Sequence, residues 1–278
     1  AAVLSPFQLY VIDTANGSVS QRSCVETMNA DGSATCSDAL TFWGDRIVTT
    51  DRAESYYDPL LEETDLISIA ADDVDDVRLL FDAEPGTVQW SSVRALDDGT
   101  LLALGRDSAR YGSGYRGNAP GVLYAFSPDG EYQQLGDGYA EPVLEAVGPD
   151  PTTGQPTAVL LDGGSGGACS YGYSLAWVGP ESVSGPDSLS DMFVNPEQGQ
   201  ESQDVSDVWF DAGGALQVSA ASGLCDDFDG VLDGAPRRTW RFDGEDWVET
   251  GEADVLASRD LPSGKRLSVE LDGPTSYW

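Results

Sequence analysis

Short apolar runs of strand-like composition, separated by turn sequences, recur along the whole chain. Few segments carry apolar residues at the helical spacing i, i+3, i+4, i+7. Strand–turn–strand signals such as LDDGTLL, FSPDGEY, FDAGGAL and FDGEDW stand between the runs instead. A chain with this pattern buries its apolar surface as an all-β sandwich, barrel or propeller.

Internal repetition favours the propeller among these folds. The spacing R-x-L-x-x-G-x-x-L occurs at 94–102 and again at 259–267. The strand candidates can be grouped into units of four, and each unit begins with a comparable strand. The predicted units lie near residues 39–84, 87–138, 142–186, 204–251 and 253–278, the last of which has only two strands and is completed by 7–24.

This layout resembles β-propellers, specifically a five-bladed ring in which both termini contribute to one blade. The resemblance covers nearly all of residues 1–278, treated as a single domain, and rests on the repeats because no blade signature is present. It implies five four-stranded blades; a six- or seven-bladed propeller and a β-sandwich are the alternatives. Residues 185–203 fit no predicted strand and are interpreted as an inter-blade insertion. The low-Lys, Ala/Gly/Asp-rich composition is similar to extracytoplasmic proteins of high-GC Gram-positive bacteria.

The charge excludes several classes of partner. The chain has 48 acidic and 14 basic residues, which gives a formal net charge of −34. Such a surface repels phosphate backbones, so nucleic-acid binding is excluded, and anionic membranes are poor partners. No apolar stretch is long enough to span a membrane. The acidity also fits a protein adapted to high salt.

The absence of histidine excludes several reaction classes. Ser-His-Asp and Cys-His catalysis are impossible, as are zinc sites with imidazole ligands. Acid–base chemistry would fall to carboxylates or tyrosines. The glycine-rich segment 163–167 lacks the strand–loop–helix context and the lysine of a phosphate-binding loop.

The four cysteines predict two disulfides and an oxidising compartment. None of them forms a C-x-x-C pair, and their spacing does not suit a zinc knuckle. The simplest pairing joins Cys24 to Cys36 and Cys169 to Cys225. Together with an N-terminal sequence that looks trimmed, this predicts a secreted protein or an extracytoplasmic ectodomain.

The propeller resemblance implies that ligands bind on the face formed by the connections between second and third strands. Four long loops are predicted there, at 51–64, 106–120, 163–173 and 223–237. Tyrosine offers broad contact at low entropic cost, and arginine can pair with a carboxylate. The predicted ligand-binding residues are Tyr56, Tyr57, Arg110, Tyr111, Tyr115, Arg116, Tyr171 and Tyr173. The alternative is that these tyrosines pack the loops and the arginines neutralise nearby acids.

One aspartate-rich loop is a candidate calcium site, since calcium prefers six to eight oxygen ligands. The loop resembles the D-x-D-x-D-G-x-x-D loops of integrin-type propellers but has Cys225 at the first position. Its candidate ligands are Asp226, Asp227, Asp229 and Asp233. A solvated acidic loop is the alternative. A second aspartate run at 72–76 is interpreted as a hairpin turn.

Three functions are compatible with these features. The favoured one is a non-catalytic extracytoplasmic recognition or sensor module that binds a glycan or peptide on the loop face. A carbohydrate-active enzyme would need two carboxylates flanking the scissile bond, and among 48 acids no pair can be singled out. A structural or adhesive propeller stabilised by calcium is the third.

Overall fold

Every regular element in the described part of the chain is a β-strand, and every strand pair is antiparallel. No helix that could cross a membrane occurs in that part. The computed structural model describes residues 2–4, 8–12, 15, 17–23, 40–53, 63–82, 88–107, 120–167, 170–188, 201–224, 238–242, 244, 247–252, 255–260 and 266–270.

The chain divides into two compact units, of which the first is Ala1–Leu144. It contains a three-stranded sheet and two four-stranded sheets. The three-stranded sheet is formed by β1 (Ala2–Leu4), β2 (Gln8–Ile12) and β3 (Val19–Ser23). Sheet I is formed by β4 (Leu40–Trp43), β5 (Arg46–Ala53), β6 (Glu63–Ala70) and β7 (Val77–Phe81). Sheet II is formed by β8 (Val88–Ala95), β9 (Leu101–Asp107), β10 (Gly121–Phe126) and β11 (Tyr132–Tyr139).

The second unit is Glu145–Trp278. It has a two-stranded sheet and most of two further four-stranded sheets, since the first strand of sheet III begins in the first unit. Sheet III is formed by β12 (Glu141–Pro149), β13 (Pro156–Gly167), β14 (Ser170–Val178) and β15 (Val183–Ser188). Sheet IV is formed by β16 (Glu201–Phe210), β17 (Leu216–Leu224), β18 (Arg238–Phe242) and β19 (Trp247–Glu252). The pair is β20 (Val255–Asp260) with β21 (Arg266–Glu270).

Sheets I to IV are meanders in which each strand pairs with the next along the chain. A four-stranded antiparallel meander is the blade of a β-propeller, and the predicted all-β propeller class is confirmed. The single domain over 1–278 and a fifth blade completed by the two termini stay predictions. β1 adds a strand that the sequence pattern does not indicate.

Short glycine turns explain why consecutive strands form hairpins. In the turn 96–100, the Leu96 N–H donates to the Thr100 carbonyl at 2.8 Å, and the Gly99 N–H donates to the Leu96 carbonyl at 3.0 Å. Gly99 has φ 88°, a conformation that glycine adopts without steric cost. The same hydrogen-bond pattern closes the turns 127–131 and 211–215. The predicted turn sequences therefore fold as expected.

Apolar residues on the inner faces of the strands form the core of each unit. In the first unit a buried cluster contains Val48, Leu66, Trp90, Leu101 and Phe126 among others. In the second unit a cluster includes Val159, Leu161, Leu175, Val218 and Phe242. Burial of these side chains is the main favourable contribution to folding.

Two predicted boundaries, in sheet III and between sheets III and IV, are wrong. The segment 163–173 was expected to be a long loop, but β13 extends to Gly167 and β14 begins at Ser170. The predicted insertion 185–203 was expected to contain no strand, yet β15 runs through Ser188 and β16 begins at Glu201. Glycine, serine and proline lower strand propensity, which hid these extensions from the sequence pattern. Residues 189–200 lie outside the described residues.

Candidate functional site at the long-connection end of the sheets

The connections at the two ends of sheets I to IV differ in length. In an antiparallel meander, the first and third connections share one end of the sheet and the second connection lies at the other. The first and third connections contain at most six residues, the longest being 71–76 and 150–155. The second connections are longer in three of these sheets, at 54–62, 108–120 and 225–237. We call the two ends of each sheet the short-turn end and the long-connection end.

Most of the predicted site residues belong to these second connections. The predicted site at this end of the sheets stays a prediction. Most predicted site residues lie outside the described residues. They are the candidate ligand-binding residues Tyr56, Tyr57, Arg110, Tyr111, Tyr115 and Arg116, the candidate calcium ligands Asp226, Asp227, Asp229 and Asp233, and the cysteines Cys24, Cys36, Cys169 and Cys225.

Tyr171 and Tyr173 lie on a strand, which corrects the prediction that 163–173 is a long loop. Both belong to β14, where Tyr173 pairs with Gly163 and Tyr171 pairs with Ser165. An aromatic residue opposite a glycine compensates for the weak strand propensity of the glycine. This cross-strand arrangement gives a physical reason for the extended hairpin.

Tyr173 has a structural contact of its own. Its half-buried side chain packs against the buried cluster that contains Leu161 and Leu175, and Gly163 opposite it is buried. The ring therefore stands at the edge of the core. A substitution at this position would affect packing as well as any ligand contact.

The short-turn end of sheet I is organised by Arg46, a residue that sequence analysis did not single out. Its Nη1 donates to Asp76 Oδ2 at 3.0 Å, and its Nη2 donates to the Asp76 carbonyl at 2.9 Å. Its Nε donates to the Ser68 hydroxyl at 2.9 Å, and its Nη2 also donates to the Ser68 carbonyl at 2.9 Å. The Arg46 guanidinium thus ties the turn to the middle of the sheet.

The aspartate run at 72–76 forms a turn, as predicted. The Ala70 N–H donates to the Asp76 carbonyl at 3.0 Å, which closes the hairpin of β6 and β7. The hydrogen bond from Arg46 lowers the pKa of Asp76, burial opposes this shift, and the charges of Arg46 and Arg78 add to it. The charge of this carboxylate therefore has a structural role.

Asp211 has a similar role at the short-turn end of sheet IV. Its Oδ1 accepts hydrogen bonds from the N–H groups of Gly213 at 2.8 Å and Ala215 at 3.0 Å. Its Oδ2 accepts one from Gln217 at 2.9 Å. Burial raises the pKa of Asp211, but these hydrogen bonds and the nearby charge of Arg241 together outweigh it, so the net pKa is lowered.

Described aspartates at other short turns also bind the backbone. Asp98 Oδ1 accepts from the Thr100 N–H at 2.9 Å, and Asp150 Oδ1 accepts from the Thr152 N–H at 2.7 Å. These are turn-stabilising contacts of the kind aspartate commonly makes. Within the described ranges, no group of three or more acidic or cysteine side chains has the geometry to hold a metal ion.

Comparisons with known proteins give low similarity. No protein family and no curated protein matches the chain. A solved luciferin-regenerating enzyme matches with a TM-score of 0.49 and 13% identity, over 99% of this chain and 81% of that one. A putative gluconolactonase matches with a TM-score of 0.44 and 14% identity, over 97% and 84% of the two chains.

An exo-β-1,3-galactanase from Phanerochaete chrysosporium matches with a TM-score of 0.42 and 12% identity. The match covers 87% of this chain, which spans only 57% of the galactanase chain. At these scores the likenesses do not assign a substrate or a reaction to this protein.

Proposed function

We propose that the chain is a non-catalytic, extracytoplasmic recognition or sensor module whose ligand, a glycan or a peptide, binds at the long-connection end of the sheets. The observation that carries this proposal is the difference between the two ends. The short-turn ends are closed by tight turns whose aspartates bind the backbone. The second connections are longer in three sheets, and two of them, 54–62 and 108–120, together hold four tyrosines and two arginines.

The residue types on these connections suit recognition. Binding surfaces commonly rest on loops presented by a rigid scaffold, and the buried sheets provide that scaffold. The segment 106–116 contains three arginines and two tyrosines, in a chain that has only 14 basic residues. Its arginines could pair with a carboxylate, and its tyrosines could pack on a sugar or a side chain.

A binding assay with two substitutions tests this proposal. Retention of the full chain is measured on immobilised polysaccharides, cell-wall fragments and acidic peptides, and released reducing ends are followed in parallel. We expect retention without turnover, and we expect Tyr115→Ala and Arg116→Ala to weaken retention. The control is Tyr132→Ala, because Tyr132 is 54% exposed at the short-turn end of sheet II.

The outcomes separate recognition from catalysis. Release of reducing ends would contradict the non-catalytic proposal and favour a carbohydrate-active enzyme that uses carboxylates. Equal loss of retention in Tyr115→Ala and Tyr132→Ala would contradict the placement of the site. Failure to retain any member of the panel would remove the support for both ligand classes.

Calcium bound by Asp226, Asp227, Asp229 and Asp233 is a separate part of the proposal. Carboxylate oxygens suit calcium, and this segment supplies four aspartate side chains within eight residues. A metal that binds only the folded chain raises the melting temperature. Melting curves with calcium and with a chelator should therefore differ, and Asp229→Asn should reduce the difference.

A further inference from the structure

Asp–Gly pairs recur along the chain. Glycine has no side chain to shield its amide nitrogen, so this nitrogen can reach the carboxyl group of the preceding aspartate. Four such pairs lie wholly within the described residues, at 98–99, 129–130, 137–138 and 162–163. The four pairs share the same local chemistry and differ in how the fold holds them.

Three of the four pairs are held by hydrogen bonds or by burial. The Gly99 N–H donates to the Leu96 carbonyl at 3.0 Å. In the same way, the Gly130 N–H donates to the Ser127 carbonyl at 2.9 Å. Gly163 is buried within the β13–β14 ladder. In these three pairs, the glycine nitrogen can approach the carboxyl group only after a hydrogen bond is broken or the core is opened.

The fourth pair lies on β11, the last strand of sheet II, which pairs only with β10 in that sheet. On these two strands Asp137 pairs with Val122. The next pair along is Tyr139 with Gly121. Gly138 is therefore the extra residue of a β-bulge, a place where the regular ladder is interrupted.

The surroundings of this pair leave room for movement. Asp137 and Gly138 are both exposed. Gly138 has φ 89°, and no described atom beyond its chain neighbours lies within 4 Å of the position that a β-carbon would take there. The Asp137 carboxylate accepts a hydrogen bond from Gln134 Nε2 at 3.3 Å, which is longer than most such bonds. Exposed backbone at a strand edge opens locally at low free-energy cost.

We propose that the Asp137–Gly138 pair is a modification site at which the folded protein forms isoaspartate. The Gly138 amide nitrogen forms a bond to Asp137 Cγ and loses its proton, while the Cγ–OH bond of the protonated carboxyl group breaks. One water molecule leaves and a succinimide ring remains. Water then opens the ring: hydrolysis at the main-chain carbonyl carbon gives isoaspartate, and hydrolysis at Cγ restores aspartate. In isoaspartate the main chain is longer by one methylene group.

The test is peptide mapping of the full chain after incubation at pH 5, where carboxyl groups are protonated more often than at pH 7. Fragmentation that distinguishes isoaspartate from aspartate measures each pair separately, and Asp98 and Asp129 are the controls within the same chain. Opening a control pair breaks one more hydrogen bond, so we expect about fivefold more isoaspartate at Asp137 than at either control. Asp137→Glu should abolish the product at this position, because the corresponding six-membered ring forms more slowly.

A sample unfolded in urea separates the effect of the fold from that of the local sequence. In that sample the pairs at Asp98, Asp129 and Asp137 should react at similar rates, because no turn or bulge remains. Equal rates in the folded chain, or a faster reaction at either control, would overturn the proposal. So would an excess at Asp137 that is just as large in urea, or folded protein that forms no isoaspartate at Asp137 while the unfolded chain does.

Discussion

The Arg46 guanidinium provides the most specific stability prediction. Its side chain is 10% exposed and holds the Asp76 carboxylate, the Ser68 hydroxyl and two carbonyls. Arg46→Met keeps much of the apolar stem but leaves the buried Ser68 groups without their donor. A hydrogen bond that involves a charged group contributes about 1.5–3 kcal/mol, but such losses are not additive, and water can replace part of the contact to Asp76. We expect the free energy of unfolding to fall by about 3 kcal/mol.

Urea denaturation at pH 7 measures this loss, and thermal melting should show a decrease of roughly 6 °C or more. The matched control is Arg78→Met, because Arg78 Nε lies 3.8 Å from Asp76 Oδ1 and its side chain is 66% exposed. An exposed ion pair contributes little, so this variant should stay within about 0.5 kcal/mol of the parent. Equal effects of the two substitutions would refute the argument from burial.

The dependence on pH gives an independent check. The hydrogen bond and charge of Arg46 lower the pKa of Asp76 from its usual 3.8, against the opposing effect of burial. As the pH falls, Asp76 therefore becomes protonated at a higher pH in the unfolded chain than in the folded chain. The stabilisation that ionised Asp76 contributes above pH 3.8 is lost as the pH falls through the pKa of Asp76 in the folded chain. The difference in the free energy of unfolding between the parent and Arg46→Met should therefore become smaller below pH 3.8. A difference that stays constant down to pH 2 would contradict the assignment.

Three further predictions concern turns and packing. Asp211→Asn should destabilise the protein at pH 7 but less below pH 3.8. The pKa of Asp211 is lowered in the folded protein, so the parent loses the stabilisation by ionised Asp211 in acid. Urea denaturation of the parent and the variant at pH 7 and pH 3 measures the two differences. Gly148→Ala should cost about 1–3 kcal/mol in urea denaturation, because a β-carbon there would overlap the Phe210 ring. Trp43→Phe should lower the free energy of unfolding by about 1 kcal/mol, because the Trp43 Nε1–H donates to the Gly99 carbonyl at 2.6 Å.

Gly179→Ala is the control for the packing prediction. A β-carbon at Gly179 would meet only the Ser182 carbonyl oxygen, at 3.8 Å, which is ordinary van der Waals contact. Neither Gly148 nor Gly179 has a positive φ, so backbone strain does not separate them. If both substitutions had the same effect, the close approach of Gly148 to Phe210 would not be the cause.

The strand order of sheets I to IV was accessible from the sequence because each short turn carries its own signal. In 96–100 the local rules suffice, since an aspartate binds the turn backbone and Gly99 adopts positive φ. The apolar run 121–126 is also a strand with mostly buried residues. In such segments, local preference and tertiary burial agree.

The sequence could not predict features that depend on cross-strand partners. The glycines at 163–167 indicate a loop by propensity, but the segment pairs with β14 as a strand, and Gly163 lies opposite Tyr173. The Arg46–Asp76 pair depends on the pairing of β5 with β6, which places residues 30 positions apart in contact. For the candidate site, the sequence shows the residue types of the long connections, whereas the end of each sheet at which they lie follows from the strand pairing.

Recognition at the long-connection end is tested most directly by one retention experiment on the glycan and peptide panel. The parent chain is compared with the double variant Tyr115→Ala/Arg116→Ala and with the short-turn control Tyr132→Ala/Arg78→Ala, all with parallel measurement of reducing ends. We predict retention of the parent and the control, loss of retention in the first variant, and no turnover. Equal loss in both variants, or release of reducing ends by the parent, would contradict a non-catalytic binding site at that end.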